Sequence, residues 1–363
     1  MTHEERKKMR GYVAVAVLVA AGWLGGLSGA EAQSAMLNLP RVSQRAEVMQ
    51  RVGITDITID YARPLAKGRK IFGGLAPYGK VWRAGANENT TIAFSDPVTI
   101  NGQALAKGTY GVHMIPDENS WIVIFSRNST SWGSFTYDQA EDALRVTVKP
   151  QTIPEQDVLS YTIDDPTLTS AVVTMRWEKV AVSFTVGVNT PEVVAASLRN
   201  QLRGRAQFEW EPWSEAATYL LENHLSAEEA LKDAQTSIDN EDRFENEYVK
   251  ARVLTALGRK DEAKAARDRA IQMGTQLQIQ SYGRGLQTQG HSEEALDLFR
   301  DNIKKDPNSW IAHNEAARIA VARGDYDTAI KEMKVALSVA PETFRGQINR
   351  LITQLENKVD INK

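Results

Sequence analysis

The chain has 363 residues, of which 42% are hydrophobic and 25% are charged, an ordinary globular composition with enough length for about two domains. Its 43 Lys and Arg against 46 Asp and Glu give a net charge of −3. Such a balance offers no basic field for a phosphate backbone, so we expect no nucleic-acid partner. The absence of cysteine excludes disulfides, thiolate metal sites and a cysteine nucleophile.

Residues 1–32 have the pattern of a signal peptide. Four basic residues in MTHEERKKMRG precede the apolar run YVAVAVLVAAGWLGGL, and Ala30-x-Ala32 provides the small residues of a cleavage site. We expect cleavage near Ala32-Gln33, with export to the periplasm or the extracellular space and no membrane span left in the mature protein. An uncleaved N-terminal anchor is the alternative.

Residues 33–188 are predicted to form an antiparallel β domain. Runs such as ITIDYA, SWIVIFSR and LRVTVKP alternate apolar and polar residues and are separated by turn residues. About nine such strands without intervening helices indicate a β-sandwich or a partly closed barrel. Asn101-Gly102 predicts a type I′ hairpin, and a second hairpin is predicted near Glu178-Lys179.

Beyond a linker or connecting helix at 189–205, the pattern becomes helical and repetitive over 206–363. Four alanines recur at spacings of 33, 32 and 34 residues: Ala230, Ala263, Ala295 and Ala329. Glycines precede the last three of them by five residues, and prolines close two units: Gly258, Gly290, Gly324, Pro307 and Pro341. The pattern resembles the tetratricopeptide repeat, with four units of which the first lacks the turn glycine.

That resemblance implies an α-solenoid that binds a protein or peptide partner on its concave face. Six polar residues are predicted to line this groove: Asn246, Lys250, Gln280, Arg284, His313 and Asn314. Docking of the same surface against the β domain is the alternative.

The stretch YGKVWRAGANENT, residues 78–90, sets charged and aromatic side chains among small residues, in a segment that suits neither a strand nor a helix. Together with nearby arginines it suggests a pocket for an anionic small molecule or a glycan, because guanidinium groups bind carboxylate and phosphate at two points. Six residues are predicted to line it: Arg63, Arg69, Lys80, Trp82, Arg83 and Asn87. Under a purely structural interpretation, Arg83 pairs with Glu88 or Asp60 and Trp82 anchors the core.

The same region resembles the bacterial family called domain of unknown function 2911. The similarity covers about residues 40–188 and rests on recurring pieces: Arg63-Pro64, Gly68-Arg69, Pro77-Tyr78-Gly79, Trp82-Arg83, Gly108-Thr109-Tyr110 and Trp132-Gly133. The resemblance implies an exported β domain and no established activity.

The catalytic candidates are few. His113 is the one histidine of the β domain, so that domain has no two-histidine metal site, and we expect neither a metal nor a cofactor. Glu88, paired with Asp117, Glu118 or Asp138, would suit a carboxylate-based hydrolase of envelope glycans if the two carboxyl groups lay about 5–10 Å apart. We therefore expect an exported binding and scaffolding protein, with this hydrolase as the alternative.

Overall fold

The computed structural model describes residues 40–363, so the predicted signal peptide and its cleavage site lie outside the described residues. Within 40–363, none of the helices combines the length and the apolar character needed to cross a membrane.

The N-terminal part contains ten strands in two antiparallel sheets. They are β1 (Gln44–Val52), β2 (Thr55–Arg63), β3 (Thr90–Phe94), β4 (Val98–Ile100), β5 (Gln103–Leu105), β6 (Gly108–Ile115), β7 (Trp121–Ser126), β8 (Asp142–Val148), β9 (Gln151–Asp164) and β10 (Ser170–Gly187). One sheet has six strands in the order β1-β2-β3-β6-β7-β8, and the other has four in the order β5-β4-β10-β9. Two separate sheets identify the fold as a sandwich and exclude a closed barrel for this part of the chain.

The inner faces of the two sheets share one apolar core. Alternate residues of β2 are buried, as its period-two pattern requires, and Phe125 of β7 meets Phe184 of β10 edge to face at 5.5 Å. Trp121 and Trp177 are fully buried and fill the centre. Trp82 and Ala84 of the segment 78–90 pack in or against this core.

One predicted hairpin is confirmed and the other is wrong. Asn101 and Gly102 both have positive φ, 47° and 83°, and join β4 to β5 as a type I′ turn requires. Glu178, with φ of 53°, lies instead inside the continuous 18-residue strand β10, at a bulge in its pairing with β9. The β9 partner strand runs past the bulge, so the chain bends there and does not reverse.

Helix α1 (Thr190–Gln201) follows the last strand, in the segment predicted as a linker or connecting helix. Val193 belongs to the sandwich core, whereas Ala195 belongs to a core formed with the next helices. Arg199 donates two hydrogen bonds to Glu229 of the following helical pair, at 2.6 and 2.8 Å. One helix therefore contributes to both parts of the protein.

The remaining chain forms nine further helices. They are α2 (Trp210–Glu222), α3 (Ala227–Asn240), α4 (Phe244–Ala256), α5 (Lys260–Met273), α6 (Gln276–Thr288), α7 (Ser292–Ile303), α8 (Trp310–Ala322), α9 (Tyr326–Val339) and α10 (Glu342–Glu356), with short 3₁₀ turns at Gln139–Glu141 and Arg205–Phe208. Helices α2 to α9 make four successive pairs, and the repeated alanines are buried in the second helix of each pair. The predicted tetratricopeptide-like solenoid is confirmed, with α10 added after the last pair.

The turns within the pairs follow the predicted glycines. Gly258, Gly290 and Gly324 have φ between 74° and 91°, the left-handed region that favours glycine. In the first unit His224 takes this role with φ of 53°, and its turn is one residue longer. The first unit thus lacks the glycine and keeps the left-handed turn.

Candidate functional site

Trp82 lies in the segment 78–90 that was predicted to bind a ligand, and its backbone pairs with β6. Its N–H donates to the Met114 carbonyl at 2.7 Å and its carbonyl accepts from the Met114 N–H at 2.8 Å, which adds a bridge beside β6. Its ring stacks on Trp177 at 5.8 Å and meets Phe72 edge to face at the same distance. The side chain is an anchor between loop and core, as the structural interpretation expects.

The residues after Trp82 turn sharply into the sandwich. Ala84 has φ of 51° and is fully buried, and its carbonyl accepts from the hydroxyls of Tyr161 and Thr90 at 2.8 and 3.2 Å. Asn87 also has positive φ, 61°, and its amide donates to the Ser43 carbonyl at 3.2 Å. This loop therefore ties the end of β9 and the start of β1 to the start of β3.

The nearby arginines donate to backbone carbonyls. Arg63 donates to Leu159 at 3.1 Å, and Arg83 donates to Asn87 at 2.9 Å while its guanidinium lies 5.4 Å from the centre of the Phe135 ring. Arg69 donates to Ala66 and Leu65, at 3.0 and 2.6 Å. Lys80 is exposed. The guanidinium groups thus bond to the backbone of the β domain. The pocket for an anionic ligand stays a prediction.

Glu88 does not pair with Arg83. Its carboxylate accepts from Arg41 at 2.7 Å, and its side chain is 57% exposed. Asp60, the other partner expected for Arg83, pairs with Arg45 across β1 and β2. Both expected pairings of Arg83 are therefore wrong, because Arg83 turns towards the Asn87 carbonyl and Phe135.

His113 is buried beside a partly buried polar cluster that the sequence did not indicate. Its Nδ1 is 2.9 Å from the Ser134 hydroxyl, and burial lowers its pKa to about 4, so the imidazole is neutral at pH 7. Beside it, the Tyr137 hydroxyl donates to Asp142 at 2.8 Å, and Arg145 bonds to both. At 2% exposure His113 is closed off from a substrate, which a general base must reach.

An open cavity of the solenoid lies where its first three helical pairs meet. This central cleft has a volume of about 780 Å³ and is lined by residues of α2, α4, α5 and α7 and of the turns that flank them. Its lining includes the small residues Ala251 and Ala263 and the aromatic side chain of Tyr248. Lys260 and Lys264 lie on the α5 side, whereas Glu294 and Asp297 lie on the α7 side, so the two walls differ in charge.

An ion-pair network crosses the centre of the cleft. Arg252 of α4, whose side chain is 9% exposed, pairs with Glu222 of α2 and with Glu294 of α7. His291, which caps α7, contacts the second Glu222 oxygen at 2.7 Å. Burial acts to raise the pKa of Glu222, but the hydrogen bonds from Arg252 and His291 hold it below its usual value. Three successive units are thereby joined by charged side chains in one cavity.

Tyr248 adds an unsatisfied polar atom beside this network. Its hydroxyl is buried and has no hydrogen-bond partner within residues 40–363, and the Arg267 guanidinium lies 5.7 Å from its ring centre. Burial raises the pKa of Tyr248, so the hydroxyl remains a donor at neutral pH. Such unsatisfied groups are uncommon in folded proteins.

The predicted groove residues divide into three sets. Asn246 is fully buried and caps α4 through its bonds to Arg243 and Glu241, and Gln280 is also buried, so neither is positioned to contact a ligand. Lys250 lies in a different groove, between α3, α4 and α5. The other three lie on α6 and α8: Arg284 contacts residues near 361, His313 pairs with Glu332, and Asn314 accepts from Arg318.

The cleft residues Glu222, Arg252, His291 and Glu294 were missed by the sequence reasoning. Glu222 ends α2, Arg252 lies inside α4, and His291 and Glu294 lie at the start of α7. The repeat pattern specifies small core residues and turn glycines and says nothing of these polar positions, so it gave no signal for them. Within residues 40–363, no cluster of three or more His, Asp or Glu side chains is arranged to hold a metal ion.

Two facing sheets and four stacked helical pairs define the class: a β-sandwich joined to a tetratricopeptide-like solenoid. Residues 43–186 match the family model described as "Protein of unknown function (DUF2911)", which confirms the resemblance of the β domain. A search of curated proteins gave no match.

Three solved structures are similar to this chain at 17% identity. "Crystal structure of YrrB: a TPR protein with an unusual peptide-binding site" has a TM-score of 0.23 and covers 45% of this chain and 84% of its own. "Crystal structure of MamA" has a TM-score of 0.26 and covers 44% of this chain and 92% of its own. "Crystal structure of APC/C hetero-tetramer Cut9-Hcn1" has a TM-score of 0.26 and covers 47% of this chain and 34% of its own.

Proposed function

We propose that this protein is an exported scaffold that binds an extended segment of a partner protein in the central cleft of its solenoid. The observation that carries the proposal is the cleft itself, an open volume of about 780 Å³ whose lining includes small residues and an aromatic side chain. A cavity of this size is typical of binding sites, and stacked helical pairs commonly present such concave surfaces to partners.

The charges of the two walls indicate what the partner segment contains. Successive side chains of an extended chain point to opposite sides. A segment in which acidic and basic residues alternate would face the lysines of α5 with its acids and the carboxylates of α7 with its bases. The electrostatic complementarity would favour this register over a segment with its charges in blocks.

Binding of two labelled peptides to the full chain tests this proposal. The probes are acetylated Glu-Lys-Glu-Lys-Glu-Lys and a peptide of the same composition with its three Glu before its three Lys. We expect the alternating peptide to bind at least about fivefold more tightly in fluorescence anisotropy, a difference of about 1 kcal/mol.

A matched pair of variants tests whether the peptide binds in the cleft. Ala256→Trp adds a large ring at the end of α4, where the side chain lines the cleft, whereas Ala322→Trp makes the same change at the end of α8. Both alanines are exposed and stand two residues before a turn glycine. Binding should be lost in the first variant alone; equal loss in both, or no preference between the peptides, would refute the proposal.

The export part of the proposal rests on the sequence of residues 1–32. Its test is the mass of the chain produced in a bacterial host that carries a secretory system. Export with cleavage predicts a mature N-terminus at Gln33, whereas an N-terminus that retains the apolar run would show an anchor or no export.

A further inference from the structure

Strand β1 forms an open edge of the six-stranded sheet. It pairs with β2 alone, without a register shift over its nine residues, and it contains neither proline nor glycine. The other three edge strands have features that oppose further pairing. Strand β5 has only three residues, β8 has a register shift in its pairing with β7, and β9 contains Pro154 and has register shifts in its pairing with β10. Strand β1 is therefore the edge best suited to accept another strand.

The turn between β1 and β2 determines which backbone groups face this edge. The turn consists of residues 53–54, so the flanking pair of Val52 and Thr55 is hydrogen-bonded. Bonded pairs alternate along antiparallel strands, so four residues turn their N–H and C=O groups away from β2: Arg45, Glu47, Met49 and Arg51. Within residues 40–363 these groups have no backbone partner, and the Arg51 carbonyl accepts from the Gln50 side chain at 2.8 Å.

The side chains of the same four residues lie on the exposed face of β1. Met49 is 55% exposed and has Glu47 and Arg51 on either side along this face. Arg51 pairs with Asp56 of β2 at 2.7 Å, whereas Glu47 forms no ion pair within residues 40–363. The edge thus presents an apolar side chain between an acid without a partner and a base.

This order of side chains is complementary to itself. Two antiparallel copies of β1 must set odd-numbered residues opposite odd-numbered residues, because only these have free backbone groups on the edge. When the two copies are centred on Met49, the two Met49 side chains are neighbours and each Glu47 lies opposite the Arg51 of the other copy. Opposite charges in such positions stabilise a sheet.

The other registers that pair odd-numbered residues are less favourable. A centre at Glu47 sets the two Glu47 carboxylates opposite each other, and a centre at Val48 sets Arg45 opposite Arg51. Like charges directly opposite each other destabilise a sheet. Centres nearer either end of the nine-residue strand leave much of it unpaired. Charge and length therefore select the register centred on Met49.

We propose that this edge is a dimer interface, in which two copies of the chain join their β1 strands antiparallel about Met49 to form one continuous sheet. The contact area of one strand pair is small, so the dissociation constant should lie in the micromolar range. The dimer contains two solenoids, so a partner protein with two binding segments would be held by both. Because the edge belongs to the β domain, the dimer does not depend on the central cleft.

Single thiols test the register, since the chain has no cysteine of its own. Met49→Cys places its two thiols in a hydrogen-bonded pair whose Cα atoms lie about 5.5 Å apart, within the range for a disulfide. Glu47→Cys and Arg45→Cys are controls on the same exposed face, and their Cα atoms would lie about 13 Å and 26 Å from those of the other copy.

The full chain is oxidised with copper phenanthroline, and covalent dimers are counted by electrophoresis without reductant. We expect Met49→Cys to form covalent dimers at least about tenfold faster than either control. Equal rates at the three positions, or a faster reaction of Glu47→Cys, overturn the proposal.

Charge reversal tests the contact of Glu47 with Arg51 without a covalent bond. Glu47→Arg and Arg51→Glu each set like charges opposite each other in the dimer, and the double variant restores opposite charges. In sedimentation equilibrium we expect each single variant to raise the dissociation constant at least about tenfold, and the double variant to return it to within about threefold of wild type.

The recovery is specific to a contact between copies. The pair of Arg51 with Asp56 within one chain is lost both in the Arg51→Glu variant and in the double variant, so it cannot produce the difference between them. A double variant that associates as weakly as the single variants, or a wild type that is monomeric at about 1 mM, overturns the proposal.

Discussion

At the scale of single residues, polar side chains inside this protein are mostly committed to backbone groups. Arg63, Arg69 and Arg83 all donate to carbonyls of the β domain, and Asn246 closes the start of a helix. Residue type and spacing singled out these positions as contacts of a ligand, which stays a prediction. Whether a guanidinium points to a ligand or to a carbonyl depends on the local turn, which the sequence pattern does not specify.

Arg83→Ala should destabilise the β domain. The change removes the bond to the Asn87 carbonyl and the contact with the Phe135 ring, which together are worth about 1–2 kcal/mol. Thermal unfolding of the full chain measures the effect, with exposed Lys80→Ala as the control, expected to change stability by less than about 0.5 kcal/mol. An Arg83 variant with unchanged stability would restore the ligand hypothesis for this loop.

Glu315 should make the solenoid less stable as the pH rises. Burial raises its pKa from 4.5 to about 8, although Asn302 donates to it at 2.7 Å. Since the folded state holds the proton more tightly than the unfolded state, its favourable contribution is complete below about pH 4.5 and is lost as the pH rises towards 8. Glu315→Gln resembles the protonated form and should lack this loss.

The measurement is thermal stability from pH 5 to pH 8, where the difference between Glu315→Gln and wild type should grow by about 3 kcal/mol in favour of the variant. Glu293→Gln, at an exposed position of α7, is the control and should follow the wild type. A difference that stays constant over this range would show that Glu315 does not titrate there.

At the scale of elements, the helical part was more predictable than the sheets. Small residues recurring every 32–34 positions specify stacked pairs, because each pair must bury the same face against the next. The long strand β10 was predicted as a hairpin because the polar pair Glu178-Lys179 between two apolar runs suits a turn and a bulge equally well. The pairing of both halves of β10 with β9 decides between the two.

Two glycines of α6 should respond oppositely to the same substitution. A Cβ at Gly283 would lie 2.4 Å from the Phe299 ring, so Gly283→Ala should destabilise the solenoid by about 1–3 kcal/mol. At Gly285 nothing lies within 4 Å, so Gly285→Ala should stabilise it by about 0.5–1 kcal/mol through helix propensity alone. Denaturant unfolding compares the two, and effects of the same sign would contradict the packing described for this helix.

At the scale of the whole molecule, the sandwich and the solenoid have separate cores that meet at α1. Among the described residues, the sandwich core includes Val193 and no residue beyond it, whereas the first solenoid core begins at Ala195. Domain order and class followed from the sequence, since the change from period two to helical period is visible there. The role of α1 in both parts was not predictable, because the sequence does not show that two apolar residues of one helix pack into two different cores.

Scanning calorimetry of the full chain should therefore show two unfolding transitions. We expect Arg83→Ala to lower the transition of the sandwich and leave that of the solenoid within about 1 °C, and Gly283→Ala to do the reverse. If both variants shift a single common transition, α1 couples the two parts into one cooperative unit.

The short connection between α10 and Ile361 has a thermodynamic consequence for the packing of that side chain. Residues 357–360 tether Ile361 to α10, so it is presented to the core of α8, α9 and α10 at an effective concentration of the order of millimolar. A contact of modest intrinsic strength is therefore mostly formed here, whereas the same contact made by a separate peptide would need a millimolar concentration of that peptide.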